Sequence, residues 1–252
     1  MEKKVNRRTM KQMSLVLVGF VYPCVSSACI WQNGDAPYWP SNTIEVCFNA
    51  PSATELRDSI AAFNSARIQV RAAYDNLSLQ SPISFVGFQT CTDEGNSSRT
   101  PKIRIDLAQD SGIPAAGSIG PSSSTNATNI VVPYMVTVKS GNSSAPQPVN
   151  PHNLGFAIQH ETLHLLGFRH DCRRDDAKYF SQLNRTVEVG AFDATSVMTI
   201  TEDETNRMTQ NREVLRQPPF LSDGDRACLR LLATRQISGP SATSTALPES
   251  AH

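Results

Sequence analysis

The sequence predicts an α+β domain, a mixed twisted sheet with a long backing helix, a second helix that carries the chemistry and a C-terminal helix. Three observations predict it. Residues 44–48, 83–88, 102–107 and 130–138 are short apolar or alternating runs of strand length. Residues 54–76 place Leu56, Ile60, Phe63, Arg67, Val70 and Tyr74 at helical spacing. A second helical stretch, residues 153–166, follows the last strand. The resulting order is strand, helix, strand, strand, strand, helix, which is how a sheet layered on helices is written in one dimension.

Taken in chain order, the first 28 residues stand apart. Lys3, Lys4, Arg7, Arg8 and Lys11 precede the apolar run 14–22, and Ser26, Ser27 and Ala28 close the segment. A basic start, a short apolar middle and a small-residue exit together read as a secretory signal peptide, so the domain is expected to span residues 29–236. Residues from 31 onward are turn-rich until the strand Ile44, Val46, Phe48. Pro51 and Ser52 then introduce the long helix. Residues 111–129 are rich in Gly, Ser, Pro and Thr and read as loop, with a short edge strand near 115–119. Residues 141–151 read as a further loop. Ser222 opens a last helix to about residue 232, with Asp225 three residues on as a capping-box partner. The Ser/Thr/Pro/Ala-rich tail 237–252 is expected to be disordered.

Composition narrows the function classes. Hydrophobic residues make up 39% of the 252, enough for a sizeable core, and charged residues only 18%. Basic and acidic residues balance at 23 each, so no basic footprint points to nucleic acid. No apolar run reaches the ~20 residues that cross a bilayer. Loss of residues 1–28 removes five basic residues and one acidic one, leaving a mildly acidic exported chain of net charge −4.

The chemistry is concentrated in residues 160–171, His-Glu-Thr-Leu-His-Leu-Leu-Gly-Phe-Arg-His-Asp, which hold three of the five histidines. On a helix, residues four apart share a face, so His160 and His164 present their imidazoles to one ion. Glu161 lies close enough to hold a water without being a ligand. Gly167 can take the left-handed conformation that ends a helix, and the chain can then bring His170 back as a third ligand. Three neutral imidazoles leave one position open, as in a catalytic rather than a structural zinc site. A lone histidine pair at this spacing is usually a structural coincidence, but Glu161, Gly167 and His170 complete a pattern that coincidence does not supply. No Gly-x-Ser-x-Gly elbow competes with it.

The segment resembles the metzincin zinc endopeptidases, whose pattern is His-Glu-x-x-His-x-x-Gly-x-x-His followed by a turn built on methionine. The run 192–198 ends in Met198, twenty-eight residues after His170, and fits that turn. Leu221, Ser222, Asp223 and Asp225 resemble the start of the family's closing helix. The likeness covers about residues 150–233. Gly167-Phe168, Arg174 and Asp176 are astacin-like, whereas Asp171 is what adamalysins carry, and Ile200 stands where astacins have a metal-reaching Tyr; the chain is closest to astacin-like or bacterial matrixin-like proteases. The resemblance implies a metzincin-like fold and a secreted endopeptidase with one zinc ion on His160, His164 and His170. It cleaves polypeptides through a metal-activated water, with Glu161 as general base. Substrate would lie extended on the edge strand near 115–119. The alternative is a secreted metal-binding or adhesion module that keeps the fold without turnover. A monomer is expected, with no nucleic-acid partner and no transmembrane span. Asp35 is a candidate for masking the zinc before activation.

Export leaves five cysteines, an odd number. One reading makes Cys29 the lipid-modified first residue of an envelope-anchored protein, although Ser26 stands where such signals carry Leu or Val. Cys47, Cys91, Cys172 and Cys228 then allow three connectivities. Cys47 ends one strand and Cys91 follows another, so they pair if those strands are sheet neighbours. With the closing helix packed beneath the active-site helix, as in metzincins, Cys172 would meet Cys228. The competing pairing, Cys47 with Cys228, is the astacin-like one.

Overall fold

The computed structural model describes residues 29–32, 39, 41–92, 101–109, 116–117, 127–140, 143–169, 186–189, 193, 195–199 and 220–238. The signal segment, Asp35, His170, Asp171, Cys172, Arg174, Asp176 and Ile200 lie outside them, as does the tail beyond Ser238.

A six-stranded sheet forms the frame. Its strands are β2 (Thr43–Phe48), β3 (Ser84–Thr90), β4 (Lys102–Gln109), β5 (Ala116–Gly117), β6 (Ala127–Ser140) and β7 (Ser143–Pro148). They run in the order β3-β2-β4-β6-β5, with β7 also paired to β6. The pairs β2–β3, β2–β4 and β4–β6 are parallel, while β5 and β7 run antiparallel to β6, which makes the sheet mixed as expected. Ile44, Val46, Ile103, Ile105, Ile130 and Val132 are all buried, because parallel strands that carry helices bury their β-branched side chains.

Helix α1 (Ala53–Gln80) crosses from β2 to β3, a connection that parallel neighbours require. Of the expected stripe, Phe63, Val70 and Tyr74 are buried in the shared core, joined by Leu77, whereas Ile60 is 41% exposed. The helix is broken at Ser59, whose hydroxyl lies 2.7 Å from that of Tyr134 on β6. Helix α2 (Pro151–Leu165) packs against α1, β5 and β6, and helix α3 (Asp223–Ser238) closes the chain.

Three details differ from expectation. The turn-rich reading of the first mature residues missed β1 (Cys29–Gln32), which pairs with β8 (Phe168–Arg169) and β9 (Thr186–Val189) in a separate three-stranded sheet. So short a strand carries too few residues to show alternation. Residues 141–151 are not all loop: 143–148 form β7 despite Pro146 and Pro148. The last helix runs to Ser238, past the expected domain end at 236 and into the expected tail. The expected short edge strand near 115–119 is present at Ala116–Gly117.

Cys47 and Cys91 are bonded, which excludes the pairing of Cys47 with Cys228. The bridge forms because β2 and β3 are the neighbours it needs, with Cys91 N–H also donating to Phe48 O at 2.8 Å. Cys228 is disulfide-bonded too. Among the described residues no helix is long and apolar enough to cross a membrane.

Candidate metal and catalytic site

Helix α2 starts where its sequence can afford no loose donors. Asn150 caps it, accepting from His152 N–H at 2.9 Å, and Pro151 occupies a first-turn position whose missing N–H costs nothing. At the other end Trp39 Nε1 donates to Leu165 O at 3.0 Å, covering a carbonyl the helix cannot bond internally. Gly167 then takes φ +96°, as expected, and the chain turns into β8.

Every residue from Asn153 to Leu165 is buried. A helix buried on all faces cannot be amphipathic, so its polar residues need partners inside the protein. Thr162 and Tyr74 of α1 have hydroxyls 3.0 Å apart, and burial pushes the Tyr74 hydroxyl well above its ordinary pKa, Thr162 pulling it partly back. Gln159 Nε2 donates to Asn76 Oδ1 at 3.0 Å. These bonds lock α2 to α1.

His160, Glu161 and His164 are 4%, 5% and 7% exposed. The two imidazoles have centroids 4.8 Å apart and planes at 89°, and Phe156 stacks on His160. His160 Nδ1 is 2.9 Å from Val197 O, and His164 Nδ1 is 2.9 Å from Phe168 O. A carbonyl can only accept, so each ring donates from Nδ1, which leaves the lone pair on Nε2 in its neutral form. That tautomer is the one a zinc ligand needs, with a backbone carbonyl orienting the ring. The donor chemistry of these two residues therefore fits a zinc ion. Among the described residues no three His, Cys, Asp or Glu side chains converge on a point; the third histidine of the motif lies outside them.

The carbonyl that holds His160 is itself held. Val197 opens a 3-10 turn, Val197–Thr199, that packs on α2 and buries Met198. Ser222 and Asp225 form the expected reciprocal cap of α3: Ser222 N–H donates to Asp225 Oδ2, and Asp225 N–H donates to Ser222 Oγ, both at 3.0 Å. The same carboxylate also takes Val197 N–H at 3.0 Å on Oδ2 and the Ser196 hydroxyl at 2.6 Å on Oδ1. Burial raises the pKa of Asp225, while the bonds from Ser196, Val197 and Ser222 pull it back down. A connected path thus runs from the cap of α3 through Val197 to the His160 ring. Sequence reasoning found the cap as a local device and missed its second use, and it missed both carbonyls, because backbone acceptors leave no mark on residue identity.

The sheet edge beside α2 is β5, which pairs antiparallel to β6 with Ala116 opposite Val131 and Gly117 opposite Ile130. Among the described residues β5 has a strand partner on one side alone.

No protein-family model matches the chain, and no curated protein does. Two structures of myroilysin are among the solved structures similar to it. The crystal structure of myroilysin is 16% identical, with 80% of this chain and 87% of that one covered and a TM-score of 0.46. A second structure of myroilysin is 14% identical, with 82% and 98% covered and a TM-score of 0.44. At this identity and overlap nothing about chemistry is carried across.

Proposed function

We propose that the chain is a secreted zinc-dependent endopeptidase in which His160, His164 and His170 hold the ion and Glu161 is the general base. The observation that carries this reading is the pair of buried imidazoles, each fixed by a carbonyl in the zinc-binding tautomer, on the helix that also presents Glu161. Zinc held by three neutral imidazoles supplies an open coordination position, lowers the pKa of water toward ~7 and polarises a carbonyl.

The chain's own residues do the rest. The Glu161 carboxylate accepts the proton of the attacking water and returns it to the amine nitrogen that leaves. Val197 O and Phe168 O keep the two rings from turning. An extended substrate adds to the β5 edge as a further strand, which brings its backbone alongside α2. The Cys47–Cys91 bridge suits an oxidising compartment and hence export.

Metal analysis and casein cleavage of the exported protein, with and without a chelator, test this reading. About one zinc per chain and chelator-sensitive cleavage are expected. His164→Ala should lose most of the zinc, and Glu161→Ala should keep the zinc but lose activity by several orders of magnitude, on the order of 10³-fold or more. Zinc without cleavage would leave a metal-binding module, and cleavage by Glu161→Ala within about tenfold of the parent would remove Glu161 as the base.

A further inference from the structure

Arg67 falls on the apolar stripe of α1, where a charged residue is out of place. Its guanidinium lies 4.7 Å from the centroid of the Phe48 ring and donates through Nη2 to Phe88 O at 3.2 Å. One turn on, Arg71 lies 5.6 Å from the centroid of the Phe88 ring. Phe48, Phe88, Asn64, Ile68 and the two arginines line an open groove of about 330 Å³ between α1 and the end of β3.

The backbone is bent to make this groove. The β2–β3 register slips between Val46 and Cys47, so that Val46 faces Gly87, Cys47 faces Gln89, and Phe88 is the extra residue of a bulge. Phe88 sits at φ +64°, a conformation that bulky side chains rarely adopt, and Gly87 at φ +100°. The bulge takes Phe88 out of the ladder, puts its carbonyl on Arg67 and its ring under Arg71, and the Cys47–Cys91 bridge fixes the strand ends that carry both rings.

Charge says what the groove suits. Two cations four residues apart on a helix repel each other. The partner of Arg71, Asp75, is 4.0 Å away and both side chains are more than 60% exposed, a pair too weak to offset two charges. Arg67 has five N–H groups, of which one meets a carbonyl. Ile68, 67% exposed, and the Phe88 ring add an apolar wall.

We propose that this groove binds a small organic oxyanion, a carboxylate or phosphate joined to an apolar body, with Arg67 and Arg71 gripping the anion and Ile68 and Phe88 the body. It lies at the β3 edge of the sheet, opposite the β5 edge beside α2, and does not depend on the peptidase reading.

Titration of isotope-labelled full-length protein at low salt tests it by NMR. Hippurate, whose carboxylate mimics a peptide C-terminus, and phenyl phosphate are the probes; neutral hippuramide and inorganic phosphate are the controls. At least one probe should shift the signals of residues 64–71 and 86–90, with a Kd about tenfold or more below either control. The tighter probe identifies the carboxylate or the phosphoryl group as the source. Arg71→Met, at an exposed position, should weaken binding by about tenfold with unchanged Tm, and Arg67→Met by at least as much. No binding by either probe would overturn the proposal. So would both probes binding no tighter than the controls, or affinity that survives both substitutions.

Discussion

A backbone carbonyl has no proton to give, and that one-way chemistry is what commits His160 and His164 to a single tautomer. The same logic of what a position permits separates two glycines. Among the described residues nothing lies within 4 Å of a Cβ at Gly167, so Gly167→Ala should cost mainly its φ of +96°, about 1–2 kcal/mol. At Gly87 the φ is +100° and a Cβ would also lie 2.8 Å from Val46 O, so Gly87→Ala should destabilise more than Gly167→Ala in urea unfolding; the reverse order would show that the bulge yields easily. Asp225 offers a pH test. Its pKa is raised in the folded state, so its contribution to stability is complete below the unfolded value of about 3.8 and is lost as pH rises through the folded value. Across that window the stability of the native protein should fall relative to Asp225→Asn, which has no such proton; a relative rise would contradict the burial effect. At this scale the sequence was informative about side chains and mute about the backbone. The shared helix of His160, Glu161 and His164 and the turn at Gly167 were legible, whereas Val197 O and Phe168 O were not.

Between elements, the capping carboxylate of α3 does duty for the turn that holds His160, so removing it should be felt at a distance. Asp225→Ala leaves Val197 N–H, Ser222 N–H and the Ser196 hydroxyl without this acceptor, which should cost about 3 kcal/mol and weaken zinc binding by roughly tenfold while His160 itself is untouched. Unchanged metal affinity in a folded Asp225→Ala protein would show that the ring is held without the turn. The Cys47–Cys91 bridge spans 44 residues, and its replacement by two serines should cost about 4 kcal/mol by loop entropy, read as a lower urea midpoint. The strands β2, β3, β4 and β6 and the helices α1, α2 and α3 were legible because each is long enough to show its period. The short strands β1, β8 and β9 were not, since two to four residues fit any pattern. Strand β7 was hidden by its prolines, which usually mark a loop.

Across the whole molecule, α2 lies buried between α1, the sheet and the Met198 turn, so the site is part of the core and not an attachment to its surface. Zinc binding to the folded state alone should therefore raise the Tm of the entire domain in a single transition, by an amount that grows with free zinc; a transition unmoved by zinc would separate the site from the fold. Strand β7 bears on how molecules meet one another. Val149 N–H donates to Tyr134 O on β6 at 3.0 Å, and backbone directions alternate along a strand. The nitrogens of Pro146 and Pro148 consequently point away from β6, which is why the ladder tolerates them. It also means that this rim of the sheet has been stripped of donors at two places where a stray strand from a neighbouring molecule would need to bond. Replacing both prolines by threonine should leave Tm nearly unchanged yet speed aggregation of concentrated protein, measured by light scattering. Among the described residues, β7 therefore offers a neighbouring copy fewer bonds than an edge of ordinary residues would.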